Sequence, residues 1–212
     1  MHKSLSLLVL AAVVGCGGGA SQTPEPPKPS PLLNVPMATP VLAGQRVAVL
    51  PLTLAVPDLA LARDTLLGSR ARVLPWADSL IGEALLGRAP EVTWVLPAEL
   101  RRAARRAVGF ATDPDHMGHA ILRDPLFKVV PDPLRSQIRT LVALVDARYA
   151  LVPASLVFLQ EPAGVKAELN LVIVDARTGT PGWRSVATGS GADASEALHA
   201  ALANILLIRG VR

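Results

Sequence analysis

Hydrophobic and polar positions change period several times along this chain, and each change marks an element. Residues 45–54, QRVAVLPLTL, form an aliphatic and β-branched run with an early proline and predict a buried strand. A loop follows through Arg72. In LPWADSLIGEALLG the apolar positions Ala77, Leu80, Ile81, Ala84 and Leu85 share one helical face. Pro75 suits the first turn of that helix and Gly87 its exit. EVTWVLP predicts a short second strand. Pro97 then opens a helix, AELRRAARRAV, that points Leu100, Ala103, Ala104 and Ala107 inward and sets Arg101, Arg102, Arg105 and Arg106 around the other side. Residues 109–131 keep no period and are rich in Asp, Pro and His.

Regularity returns at Asp132-Pro133, which reads as a cap followed by a first-turn proline. Leu134, Ile138, Leu141, Val142 and Val145 carry the helix that follows. YALVPASLVFL and GVKAELNLVIVDA predict two strands around a turn at residues 161–164, and GWRSVATG predicts a third. The last helix, in DASEALHAALANILLI, starts with Asp193 and Glu196 at capping-box spacing and turns Leu198, Ala201, Leu202 and Ile205 inward. The order is β-α-β-α-loop-α-β-β-β-α. It predicts a single α/β domain with a mixed sheet, first parallel β-α units and then an antiparallel meander, flanked by helices.

Before residue 41 the pattern is of another kind. A basic start at Lys3 precedes eleven mostly apolar residues, 5–15, which are too few to cross a bilayer, since a spanning helix needs about 20. Val13-Val14-Gly15 then lead into Cys16, the only cysteine in the chain. This junction resembles the lipobox of bacterial lipoproteins, and the resemblance implies cleavage before a lipidated Cys16. Gly17 is not the aspartate that usually retains such proteins in the inner membrane, so the resemblance implies the outer membrane where the host has one. Residues 17–40 hold seven prolines and two charged residues, Glu25 and Lys28, and predict a disordered tether. The expected division is a signal peptide at 1–15, the lipidated cysteine and its tether at 16–40, and the α/β domain at 41–212.

Composition narrows the function. One cysteine excludes an internal disulfide and any cysteine-rich zinc or iron–sulfur site. Aromatics are 3% of residues, which leaves few platforms for stacking bases or flat cofactors. The net charge of +4 is mostly dispersed arginine, so no nucleic-acid partner is expected. No cofactor is expected either.

VAVLPL, EVTWVLPAELRRAAR, ARYALVPASLVF and LNLVIVDARTGTPGW resemble the TolB amino-terminal-like domain, which also occurs in the lipoproteins CsgG and LpoB. In that group an Asp-x-x-Thr-Gly turn followed by an aromatic links two late strands; here the residues are Asp175, Thr178, Gly179 and Trp183. Gly179 would supply positive φ, and Asp175 and Thr178 would bond the turn's backbone. The resemblance implies an outer-membrane lipoprotein facing the periplasm that scaffolds or binds an envelope partner in cell-wall synthesis, secretion or envelope assembly, without catalysis. A secretion channel is not expected, because neither residues 56–72 nor 109–131 alternate as membrane-crossing hairpins must.

Three clusters carry candidate chemistry. Arg101, Arg102, Arg105 and Arg106 repel one another if unpaired, which makes an acidic protein face, anionic lipid or cell-wall polymer a candidate partner. TDPDHMGHA gathers Asp113, Asp115, His116 and His119, residue types that can ligate zinc, although Pro114 and Gly118 oppose a regular helix. It carries the alternative reading, a tethered metal-dependent hydrolase. TGSGADAS is a glycine-containing entry to a helix that lacks the P-loop lysine, and its Ser190 has no evident histidine partner.

Overall fold

Three long strands, β4 (Tyr149–Glu161), β5 (Gly164–Asp175) and β6 (Thr180–Gly191), pair antiparallel in the computed structural model, which describes residues 32–207. The leader, Cys16 and the chain up to residue 31 lie outside the described residues. On the other side of β4 the sheet turns parallel. β1 (Arg46–Val49) runs between β4 and β3 (Thr93–Val95), giving the order β3-β1-β4-β5-β6, and β2 (Ala55–Pro57) pairs β4 further along. This is the mixed sheet expected from the sequence. Parallel units come first because a helical crossover lies between those strands; the meander comes last because tight turns join β4 to β5 and β5 to β6.

Alternation along the strands divides the core into two layers. Val47, Val49, Leu151, Leu169 and Leu171 face α1 (Arg70–Arg88) and α4 (Ala194–Ile205). Ala48, Leu50, Ala150, Val152, Val172 and Val174 face α2 (Pro97–Arg106), α3 (Leu134–Leu144) and the loop 109–131, which contributes buried Met117, Leu122 and Val130. Between Pro153 and Ser155 the register of β4 shifts. After that bulge the even positions Leu156 and Phe158 join the layer that Leu151 served before it.

The bulge has a counterpart across the pair. Of the run 45–54, expected as one strand, only β1 is regular; residues 50–54, with Pro51 among them, form a gap, and β2 starts just beyond the run at Ala55. The Leu50 amide still donates to the Leu151 carbonyl and the Leu156 amide to the Leu54 carbonyl, at 2.9 Å each. Between these rungs each chain has a proline, which supplies no donor and is confined to such irregularities.

Three boundaries differ from the sequence reading. α1 begins at Arg70, so Pro75 lies inside the helix and not in its first turn. The apolar period starts only at Ala77, and the turn before it buries Val73 alone. Pro133 occupies the N-cap position of α3, and Asp132, one residue earlier, accepts from the Ser136 amide at 3.3 Å and its hydroxyl at 2.7 Å. Residues 32–40, expected in the tether, belong to the folded unit. Leu33 bridges Val186, the Asn34 side chain bonds both the amide and the hydroxyl of Thr188 at 2.8 Å, and Met37 is buried. This short segment covers part of the exposed edge of β6. Among the described residues, no helix is long and apolar enough to cross a membrane.

α4 lies very close to β6. Its start follows the expected pattern: Asp193 accepts from the Glu196 amide at 2.9 Å, while the Glu196 carboxylate accepts from the Ala192 amide. A Cβ on Gly189 would stand 2.2 Å from the Ala201 nitrogen and 2.7 Å from the Ala197 carbonyl oxygen. These are backbone atoms, so only a shift of the whole helix would relieve the clash. Gly189→Ala is therefore expected to cost about 1–3 kcal/mol in urea unfolding, and an unchanged midpoint would contradict this packing.

Candidate functional site

The gap between β1 and β2 leaves the Leu52 amide without a ladder partner, and buried donors must be paired. It donates to the Asp78 carboxylate of α1 at 2.8 Å. Burial raises the Asp78 pKa, and the bonds from Leu52 and Arg101 oppose that rise. Arg101 of α2 reaches the second Asp78 oxygen at 2.7 Å, and it also grips Asp115 with Nε and an Nη nitrogen at 2.7–3.0 Å. These bonds, those to Asp115 above all, raise the Arg101 pKa above its already high ordinary value. One guanidinium thus joins α1 on one face of the sheet to α2 and loop 109–131 on the other.

His119 fills the same gap from the loop. It is fully buried, and its Nε2 lies 3.2 Å from the Thr53 hydroxyl. Among the described residues, Nδ1 meets no partner at hydrogen-bonding geometry. Burial pushes the imidazole pKa down to about 4, against a smaller opposing pull from the Pro51 carbonyl. His116, three residues earlier, is exposed and lies 3.1 Å from an Asp113 oxygen. The Asp113 carboxylate is held below its usual range, first by the Asp115 amide and then by His116.

The four candidate metal ligands are therefore not brought together. Two short 3-10 turns, Pro114–His116 and His119–Arg123, point the two histidines to opposite environments, and Asp115 is occupied by Arg101. Among the described residues, no group of three His, Cys, Asp or Glu side chains is placed to hold a metal. Ser190 donates to Glu161, and His199 is engaged with Ser195 on its own helix.

The arginine cluster divides as well. Arg101 is spent inside the fold, whereas Arg102, Arg105 and Arg106 are exposed and have no side-chain partner among the described residues. Arg105 and Arg106 stand in the last turn of α2 and Glu99 in its first, which suits the helix dipole. Directly beyond them Val108 is 81% exposed and Phe110 87% exposed. Ala104, Arg105 and Val108 wall a pocket of about 240 Å³ closed on its far side by the Asp113–Asp115 turn. The result is a basic end of a helix with an apolar tip.

The turn after β5 is built by side chains. Asp175 accepts from the amides of Arg177 at 2.8 Å and Thr178 at 3.3 Å, and the Thr178 hydroxyl accepts from the Thr180 amide. Gly179 has φ +74° and donates to the Asp175 carbonyl. Its own carbonyl receives the Val130 amide at 2.8 Å, so this turn also holds the end of loop 109–131. Trp183 donates its indole N–H to the Pro36 carbonyl at 3.2 Å. Sequence reasoning missed Arg184, which donates to the carbonyls of Leu122, Asp124 and Phe127 and fixes the middle of the same loop. An arginine in a strand facing an unpatterned loop gives no signal in the sequence.

These features define a mixed-sheet α/β domain with a buried ionic link and a basic, apolar-tipped surface. No protein-family model matches the chain, and no curated protein matches it. Its structural neighbours include LpoB of Escherichia coli. The LpoB C-terminal domain is 15% identical over 71% of this chain and 85% of that one, with a TM-score of 0.40. The NMR structure of LpoB is 17% identical over 88% and 82%, also at 0.40. A PelC dodecamer from Paraburkholderia phytofirmans is 13% identical over 81% and 92%, at 0.36.

Two measurements test the buried link. Arg101→Leu leaves Asp78 buried without its cation and is expected to lose on the order of 3 kcal/mol in denaturant. Adding Asp78→Asn to that variant should return part of the loss; a fully additive double variant would show that the two groups do not act together. For His119 the folded pKa of about 4 lies below the ordinary 6.5, so the unfolded chain takes up the proton first. Its contribution is complete above pH 6.5 and falls away as pH drops toward 4, by up to about 1.4 kcal/mol per pH unit. His119→Gln is expected to flatten that slope, and an equal slope in both proteins would contradict the assignment.

Proposed function

We propose that this chain is a noncatalytic lipoprotein of the cell envelope, anchored through Cys16, that docks an acidic envelope protein on the basic end of α2. The observation that carries the docking surface is the set of three arginines, Arg102, Arg105 and Arg106, exposed and without a side-chain partner among the described residues, beside exposed Val108 and Phe110. Aromatic and arginine side chains together are what interface centres favour. Arg101 and Asp115 fix the base of this surface, so little ordering is left for a partner to impose. Anchoring rests on the leader and its cysteine, and the outer membrane is the proposed location. Cell-wall synthesis, secretion and envelope assembly are the processes such a scaffold would serve.

The test is photo-cross-linking in living cells with a benzophenone amino acid at position 110. A discrete cross-linked product is expected, and it should disappear when Arg105→Glu and Arg106→Glu are combined. Both arginines are exposed and unpaired, so the charge reversal should leave thermal unfolding within about 0.5 kcal/mol of the parent. A product that survives the reversal, or no product in the parent, overturns this docking surface.

A further inference from the structure

Loop 109–131 carries a second exposed apolar surface, away from the tip of α2. Leu126 is 65% exposed, Ile121 and Val129 nearly half exposed, and Phe127 half-buried. Leu32, where the described chain begins, is 58% exposed and shares a groove of about 260 Å³ with Arg123, Pro125 and Arg184. Arg123 also borders a shallow depression with Ile121 and Phe127, so the two regions meet at this residue. The charges around them are mostly positive. Among the described residues, exposed Lys128 has no side-chain partner, Arg123 bonds only the Ala120 carbonyl, and the one acid on this stretch, Asp124, has an oxygen taken by the Leu126 amide.

The surface is held in place. Arg184 donates to three carbonyls of the loop, and Gly179 receives Val130 at its end. The chain toward Cys16 leaves from this same surface, at Leu32. Sixteen residue steps separate the two, which no conformation can stretch beyond about 58 Å. The bilayer that holds Cys16 is therefore always within reach, and it is reached with least chain when this face points toward it.

We propose that the surface formed by Ile121, Leu126, Phe127 and Val129, with Arg123 and Lys128, lies on the anionic headgroups of the membrane that carries the Cys16 lipid. The basic side chains meet lipid phosphates, and the apolar ones enter the boundary between headgroups and acyl chains, as in other interfacial segments. Charge complementarity and the exit point of the chain select a lipid surface over a protein. The inference rests on the lipid-anchored reading of Cys16.

The lone cysteine makes the test clean, because a lipidated Cys16 leaves no free thiol. Processed Leu126→Cys protein is purified from the envelope, labelled with an environment-sensitive fluorophore and reconstituted in vesicles of phosphatidylethanolamine and phosphatidylglycerol. Val129→Cys serves as a second probe, and Leu86→Cys, exposed on α1 over the opposite face of the sheet, as the control. Emission at 126 and 129 is expected to rise several-fold and to be quenched by brominated lipid, with no quenching at 86. Combining Arg123→Glu with Lys128→Glu should remove most of that quenching. Equal quenching at all three positions, or none at 126 and 129 in protein that still sediments with vesicles, overturns the membrane-facing surface alone. Labelling of Cys16 in unsubstituted protein, with no sedimentation, overturns the anchor and this inference with it.

Discussion

Arg101 sits where the sheet is interrupted, and much of the molecule is arranged around that position. Pro51 and Pro153 break the ladder between β1/β2 and β4, and the interruption strands the Leu52 amide. A backbone carbonyl would have been the cheaper acceptor, but α1 brings the carboxylate of Asp78 instead. A buried carboxylate is costly unless a cation reaches it. Arginine meets that need where lysine would not, because its planar fork holds Asp115 with Nε and one Nη nitrogen, and that same Nη also donates to Asp78. One unpaired amide thus leads through two acids to a contact between helices on opposite faces of the sheet.

The same contact explains how 23 residues with little regular structure, 109–131, can behave as part of the core. Asp115 ties their start to Arg101, His119 places a ring against Thr53, Arg184 holds the middle, and Gly179 receives Val130 at the end. Buried Met117, Leu122 and Val130 fill the spaces between these ties. Loops of this length in compact domains tend to be functional or mobile. Here polar ties at four places fix the loop's position, so its exposed side chains form a defined surface.

Elements whose burial follows a simple period were legible in the sequence. The three long strands, the inward face of α4 and its Asp193 cap all follow from alternation or helical spacing. The early end of the first strand at Val49 was not, because Pro51 in an aliphatic run is compatible with either outcome until the bulge in β4 is known. Arg101 was inseparable from Arg102, Arg105 and Arg106, since Arg101 and Arg105 are four apart on one stripe. Only Asp78, 23 residues earlier, and Asp115, 14 residues later, set it apart. His116 and His119 looked equivalent for the same reason, until short 3-10 turns sent one outward and one inward. The packing of residues 32–40 had a trace in the apolar cluster LLNVPM, but the prolines around it masked the signal.

Aromatic scarcity gives the surface its meaning. The chain has three phenylalanines. Phe158 is fully buried, Phe127 half-buried on the loop, and Phe110 stands almost fully in solvent. An isolated exposed apolar residue needs no explanation. Phe110 and Phe127 are different, because each lies beside basic side chains with no acidic partner among the described residues, on a segment that part-buried ionic or backbone bonds hold in place. Both surfaces belong to the layer covering one face of the sheet, while α1 and α4 cover the other. Arg101, through Asp115, joins α2 to loop 109–131 and so fixes the two surfaces relative to each other.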